Sequence, residues 1–294
     1  PAAAAAIGID KTVATPTEII NAILKAPVDL LWFGGIGTYV KASTETNADV
    51  GDRANDAVRV SAGEVRARVI GEGANLGVTQ RARIEFGMNG GRCNSDAIDN
   101  SAGVNCSDVE VNIKIALASA MRKGALARPA RNKLLAEMTG EVSGLVLSNN
   151  YQQTLALSIA RKRGLADIAH QSRFMTALEA RGLLNRAVET LPSPAALAER
   201  EARGEPLTRA ELGVLLAYAK IVLFSDIVAS HVPDDPHFER DVLGYFPDRM
   251  AKKYAAEIHG HLLRREQSAR RVATAHGNAR VPSSSTLLPD APRP

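Results

Sequence analysis

Val69-Ile-Gly-Glu-Gly-Ala-Asn-Leu-Gly-Val-Thr-Gln80 is the stretch whose reading decides the fold of this chain. An apolar segment runs into two glycines, an acid and an asparagine, the layout of a strand ending in a ligand-facing turn. In an open α/β sheet, ligands gather at the carboxyl ends of the strands. A second dense segment follows, Asp96-Ala-Ile-Asp-Asn-Ser-Ala-Gly-Val-Asn-Cys-Ser-Asp108. Two small, polar, glycine-bearing loops so close together point to a site for a small polar ligand.

Working outward, Ile19, Ile20, Ile23 and Leu24 recur at a helical period, so a helix is expected over Thr17 to Lys25. Val28 to Phe33 reads as a buried strand opening onto Gly34-Gly-Ile-Gly37, and Ser43 to Asn55 as an exposed loop. Arg66 to Ile70 is the next strand and Thr79 to Met88 the helix after it. Helix, strand, loop, strand, helix is the order of a parallel sheet covered by helices. From Val104 onward the strand signals stop. Ser107 is expected to cap a helix whose first turn holds Asp108 and Glu110, where the dipole favours acids. Helical periodicity marks 107–123, 129–148, 151–163, 168–181, 208–230, 237–245 and 248–264. The expectation is therefore α/β followed by all-α: an α/β domain over 1–103, a helical domain over 104–266, and a disordered Arg/Ser/Pro-rich tail over 267–294.

The 294 residues suffice for one large or two ordinary domains. Hydrophobic residues at 45% and charged residues at 23% are ordinary for a globular chain, and aromatics at 4% predict an aliphatic core. The net charge of +4 owes much to Arg264, Arg265, Arg270, Arg271 and Arg280, near the end of the chain and not on one folded face. No nucleic-acid partner is expected from it. Cys93 and Cys106 build neither a disulfide framework nor a metal site, and a reduced, cytoplasmic pair is expected. No run of about 18 apolar residues marks a membrane helix. The opening Pro-Ala-Ala-Ala-Ala-Ala has no charged n-region, so it is not a signal peptide and reads as a chain entered partway through.

Each glycine loop has two readings. Gly34-Gly35-Ile36-Gly37 follows a strand but is not G-x-G-x-x-G opening into a helix, and it is either a tight turn or a ligand contact. Gly71 and Gly73 let the backbone approach a flat ring, and Asn75 offers a donor and an acceptor; the alternative is that the glycines only turn the chain and Asn75 caps a helix. Asn100 and Ser107 divide in the same way between ligand contact and cap. Ser107 could do both, since a helix N-terminus with a free hydroxyl is a ready carboxylate site. Asp96, Asp99 and Asp108 read as helix-start acids, with metal binding the other reading. His259 and His261, two apart, fall on different sides of a helix, His231 and His237 flank a solvated loop, and there is no nucleophile elbow.

These residues resemble the large NAD-dependent glutamate dehydrogenases of bacteria. The likeness is carried by Asp29 to Lys41, Val50-Gly-Asp-Arg-Ala-Asn-Asp56, Val69 to Gln80, Asn100 to Lys114, Tyr218-Ala-Lys220 and Phe246-Pro-Asp-Arg-Met250, and covers roughly residues 10–266. It implies that 1–103 is the second half of a doubly wound, Rossmann-like NAD-binding domain. The Glu72 to Asn75 turn resembles the one ending the cofactor domain of the smaller glutamate dehydrogenases, which implies Asn75 at the nicotinamide-side ribose. Asn100-Ser-Ala-Gly-Val104 resembles their next block, which implies Asn100 at the nicotinamide amide and Ser107 at the substrate's distal carboxylate. The cofactor-binding candidates are thus Gly34, Gly35, Gly71, Gly73, Ala74, Asn75 and Asn100, and the substrate-binding candidate is Ser107. The family's catalytic lysine and aspartate and its phosphate-binding fingerprint lie upstream, so this chain by itself is expected to be catalytically silent. The resemblance also implies L-glutamate and 2-oxoglutarate as substrate and product, NAD as cofactor, a homo-oligomeric parent, and no membrane partner. The rival expectations are a dehydrogenase of another amino acid, disfavoured by a hydroxyl at Ser107, and a non-catalytic helical interaction module.

Overall fold

The structure, a computed structural model, describes residues 2–279. The described residues are mostly helical, with four short strands: β1 (Leu30–Phe33), β2 (Val40–Lys41), β3 (Val60–Ser61) and β4 (Val69–Glu72). All pairing is parallel. β1 lies beside β4 with Phe33 opposite Glu72, and β2 lies beside β3 with Val40 opposite Val60. Single parallel bridges join Val40 to Val78 and Val69 to Arg92. The chain forms two compact units, one from residues up to 100 with 157–215, the other from 101–156 with the residues from 216 onward. The helices Thr139–Arg163 and Arg209–Ala229 contribute residues to both.

Local chemistry explains the elements of the first unit. The helix Pro16–Leu24 opens on a Thr15/Glu18 capping box with proline in its first turn, which satisfies its orphan amides. Thr79 accepts from the Ala82 amide and so starts the helix Gln80–Met88. Leu31, Phe33, Val40, Val60, Ile70, Val78 and Phe86 then close one core. β1 is not a wholly buried strand, as its apolar run predicts: Leu31 and Phe33 face the core, while Leu30 and Trp32 are 54% and 58% exposed. A continuous apolar run predicts burial on both faces, and among the described residues only one face is covered. The loop that follows is pinned by Asp52, which accepts from the Thr38 amide at 2.8 Å and the Asn55 amide group at 2.7 Å. Buried Arg59 pairs with Asp56 and donates to the Thr38 carbonyl at 2.8 Å. Residues 157–215 add Leu178, Leu197 and Leu212, with a buried Arg200–Glu211 pair at 2.6 Å.

The helical expectations hold in kind and shift at their ends. The helix expected from Ser107 is Ser101–Arg122, so Ser107 lies in its second turn and caps nothing. Its first turns carry exposed Gly103 and Val104, which is why no apolar stripe announced them. The break expected near Asn149 and Asn150 is absent, and the helix Thr139–Arg163 runs through it. Asn150 donates back to the carbonyl of Val146 one turn earlier at 2.9 Å and Asn149 to the side chain of Asn105 at 3.0 Å, so both amides are satisfied without ending the helix. The 248–264 segment divides into Asp248–Lys253 and Ala255–His259. The helix Arg264–Ala279 replaces the first part of the expected disordered tail, burying Ala269 and Ala273 beside Ile227. The disorder expected over Val281 to Pro294 lies outside the described residues. In the second unit Val109, Ile113, Leu117, Met138, Phe246, Met250 and Ile258 form the main core. The helix Arg209–Ala229 is long and apolar enough to cross a membrane by length and composition; here it buries Leu212, Leu215, Leu216 and Ala219 and carries Lys220 and Asp226.

Gly37 sits at φ 120°, and a Cβ there would stand 2.6 Å from Nδ2 of Asn55. Gly37→Ala is expected to destabilise the chain by roughly 2 kcal/mol, measured as a lowered urea midpoint, because both the backbone strain and the clash must be relieved.

Candidate functional site

The turn after β4 is built around a buried carboxylate. Glu72 is fully buried and Arg83 is 2% exposed; Arg83 Nε and Nη2 donate to the two Glu72 oxygens at 2.7 and 3.0 Å. The amide of Val78 donates to Glu72 at 3.1 Å, closing the 73–78 loop onto the strand it left. Asp96 accepts from the Leu76 amide at 3.0 Å, and Asp99 accepts from the Glu72 amide at 3.1 Å. The second segment of the sequence is thereby stitched to the first. Leu76 adopts φ 57°, a left-handed conformation that this stitching holds in place. Burial drives the Glu72 carboxyl up, and the Arg83 bonds oppose it; burial also raises Asp99.

The candidate cofactor residues cluster at the carboxyl ends of β1 and β4. The amides of Gly73 and Ala74 donate to the Phe33 carbonyl at 2.9 and 3.2 Å, which sets this turn beside Gly34 and Gly35. Gly35 has no atom within 4 Å of where a Cβ would stand. Asn100 donates through Nδ2 to the Oδ1 of Asn75, so residues 25 apart in sequence meet at this end of the sheet. That bond does not use Asn75 Nδ2 or Asn100 Oδ1, one a donor and the other an acceptor. Gly71 and Gly73 have a packing reason of their own. A Cβ at either would stand 2.6 or 2.7 Å from the Trp32 indole, so the flat ring they accommodate within this chain is Trp32. Asn75 is not a cap: the following helix is capped by Thr79.

Ser107 is exposed in the second turn of Ser101–Arg122, in the other unit. Asp108, also inside that helix, accepts from the Tyr245 hydroxyl and pairs with Arg270. Asn112, His261 and Gln267 complete a buried network, with Asn112 donating to Tyr245 at 2.9 Å and Gln267 donating to Asn112 at 2.9 Å. Burial lowers His261, and burial with the Asp108 hydrogen bond raises Tyr245. Asp108 is therefore occupied by packing chemistry. Among the described residues no group of three or more His, Cys, Asp or Glu could hold a metal ion. Cys93 is buried and its thiol is pushed up to about 12 by burial, which makes it inert; Cys106 is exposed.

Sequence reasoning passed over Lys220 as chemistry. Its ammonium donates to Gln153 at 2.9 Å, Gln153 donates to Ser101 at 3.2 Å, and Ser101 donates to Asn150. Burial lowers Lys220 to about 8. The only hint in the sequence was a lone cation in the apolar run Ala217 to Leu223.

The first unit thus carries two parallel strand pairs, with polar, glycine-bearing turns gathered at the ends of β1 and β4. Residues 1–160, more than half of the chain, match the family described as bacterial NAD-glutamate dehydrogenase, catalytic domain, and residues 204–279 match glutamate dehydrogenase, C-terminal. The chain belongs to the bacterial NAD-glutamate dehydrogenase family. It is 55% identical over 258 residues to the NAD-specific glutamate dehydrogenase of Pseudomonas aeruginosa, covering 88% of this chain and 16% of that protein. The enzymes of the same name from Halomonas elongata and Mycobacterium tuberculosis are 50% and 46% identical over 266 and 268 residues, covering 90% and 89% of this chain. The chain spans 16% of the length of each of these relatives.

Two outcomes are expected. Glu72→Gln leaves the Arg83 cation buried without its carboxylate and should lower unfolding stability by about 3 kcal/mol in urea. Lys220 has a folded-state value below its unfolded one, so the fold favours the neutral amine. Its contribution is fully present above the ordinary lysine value of 10.5 and is lost as pH falls through about 8. Lys220→Met should therefore raise stability by about 2 kcal/mol at neutral pH, a gain that fades as pH approaches the unfolded value, followed by urea unfolding across pH.

Proposed function

We propose that this chain is part of an NAD-dependent glutamate dehydrogenase, with residues 1–103 forming the second half of a Rossmann-like NAD-binding domain. The observation that carries the reading is the Asn75–Asn100 pair at the carboxyl ends of parallel β1 and β4. That is where a doubly wound sheet binds its ligand. The exposed Leu30 and Trp32 face is what a sheet continued by further elements of the same domain would cover.

The donor set fits a nicotinamide nucleotide. Asn100 Oδ1 and Asn75 Nδ2, which the Asn75–Asn100 hydrogen bond does not use, have complementary roles suited to a carboxamide and a ribose hydroxyl. Gly34, Gly35 and Ala74 present backbone with little or no side-chain bulk, and Gly71 and Gly73 are committed to Trp32. Bound NAD would supply the hydride acceptor for the oxidation of L-glutamate, which with one water gives 2-oxoglutarate, ammonium and a released proton. This chain's residues would do positioning, those at the ends of β1 and β4 holding the cofactor. The exposed Ser107 hydroxyl would donate to the substrate's distal carboxylate as a side-chain contact and not as part of a helix cap. No residue here matches the family's catalytic lysine and aspartate, so proton transfer would come from elsewhere in the parent protein. The parent would be a cytoplasmic homo-oligomer acting on small molecules, with neither nucleic acid nor a membrane as partner.

The test is NADH formation from L-glutamate by the natural full-length gene product, sized by light scattering, beside Asn100→Ala, Ser107→Ala and the 294-residue chain alone. Asn100→Ala should raise the Michaelis constant for NAD and Ser107→Ala that for glutamate, each by about tenfold, from one lost hydrogen bond to a polar or charged partner. The isolated chain should be silent and the parent larger than a monomer. Turnover by the isolated chain, or a Ser107→Ala variant with unchanged kinetics, would overturn the corresponding role.

A further inference from the structure

A cavity of about 760 Å³ in the first unit lies against Val69 and Ile70, the opening residues of β4. The candidate cofactor turns lie at the other end of that strand. Four of the cavity's lining side chains are cations: Arg92, Arg161, Lys162 and Arg209. No Asp or Glu lines it among the described residues.

The four cations come from three separate elements. Arg92 follows the Gly90-Gly91 turn and is exposed; Arg161 and Lys162 are exposed in the last turn of Thr139–Arg163; Arg209 opens Arg209–Ala229 and is half-buried. Arg209 is held in place, with Nε donating to Asn94 at 2.9 Å and Nη1 donating to Ser158 at 3.0 Å. Asp99, the carboxylate that acts on Arg209 electrostatically, already accepts from Asn94 and from the Glu72 amide. Burial lowers Arg209, and Arg92 and Arg161 act on it in the same direction. Cations facing one concave wall repel one another, and the wall focuses their potential on whatever anion enters. Guanidinium forks bind phosphate and carboxylate oxygens in pairs. The cavity is of a size to hold a small molecule and not merely an ion. One carboxylate leaves most of this charge uncompensated, whereas a short phosphate chain brings several negative charges within the reach of all four side chains.

We propose that this cavity binds a small molecule bearing an oligophosphate group, at a site separate from the cofactor turns. Such a site would let a phosphorylated metabolite act on the chain without occupying the nicotinamide position.

The probe is inorganic tripolyphosphate, titrated calorimetrically into the full 294-residue chain at constant ionic strength. Arg161→Gln/Lys162→Gln is the site variant. Lys252→Gln/Lys253→Gln removes the same charge from an exposed helix of the other unit. Both pairs are exposed, so the fold, followed by circular dichroism, should survive. Expected is saturable binding to one site per chain, weakened about tenfold or more in the site variant, as loss of two charge-assisted contacts requires, and unchanged in the control. Tripolyphosphate should also bind in the presence of saturating NAD. Absence of saturable binding, equal weakening in both variants, full affinity in the site variant, or competition by NAD would each overturn the proposal.

Discussion

The turn that follows β4 in the first unit depends on one buried ion pair, Glu72 with Arg83. A carboxylate with no solvent contact is tolerable only if its lone pairs are filled, and here two guanidinium nitrogens and the Val78 amide fill them. The cost of leaving either charge alone forces the helix Gln80–Met88 to present Arg83 under the strand end. It also forces the 73–78 loop to return over Glu72. Leu76 accepts a left-handed backbone because that return leaves it no other path. With the loop so fixed, Asp96 and Asp99 find its amides, and Asn100 is delivered to Asn75.

Trp32 imposes a second constraint. Its indole lies over Gly71 and Gly73, where any side chain would clash. Glycine is required there by packing whether or not a cofactor approaches, so the most eye-catching letters of the motif are the least informative about ligand. The proposed cofactor role rests instead on Asn75 and Asn100, which spend one polar group each on one another. The same lesson holds for Val50 to Asp56, part of the family likeness, whose Asp52 and Asp56 serve to neutralise buried Arg59 and to tie down the Thr38 amide.

In the second unit, polar side chains inside helices explain where reading by periodicity went astray. Asn149 and Asn150 look like helix breakers, and they are when their amides compete with the backbone. Here their amides are engaged by Asn105, Val146 and Ser101, so the helix continues. Asp108 looks like a first-turn acid, yet it lies deeper in its helix because Tyr245 and Arg270, more than a hundred residues away, supply the charge partner the dipole would have offered. Val104 and Gly103 gave no apolar stripe, and so the first turns of that helix were invisible.

What the sequence determined by itself was local and periodic: a helix over 17–25, strands over 28–33 and 66–70 and a helix over 79–88, each found within three residues of those bounds, with the parallel order and the family likeness carried by the glycine-bearing turns. These follow from side-chain spacing, caps and turn residues, whose preferences act over a few neighbours. Only the tertiary structure decided that Glu72 is a buried clamp, that Gly71 and Gly73 make room for Trp32, that Asn75 meets Asn100, and that Arg92, Arg161, Lys162 and Arg209 share one wall. Each is a contact between residues remote in sequence, set by desolvation and packing once the chain has closed on itself, and no local pattern encodes it.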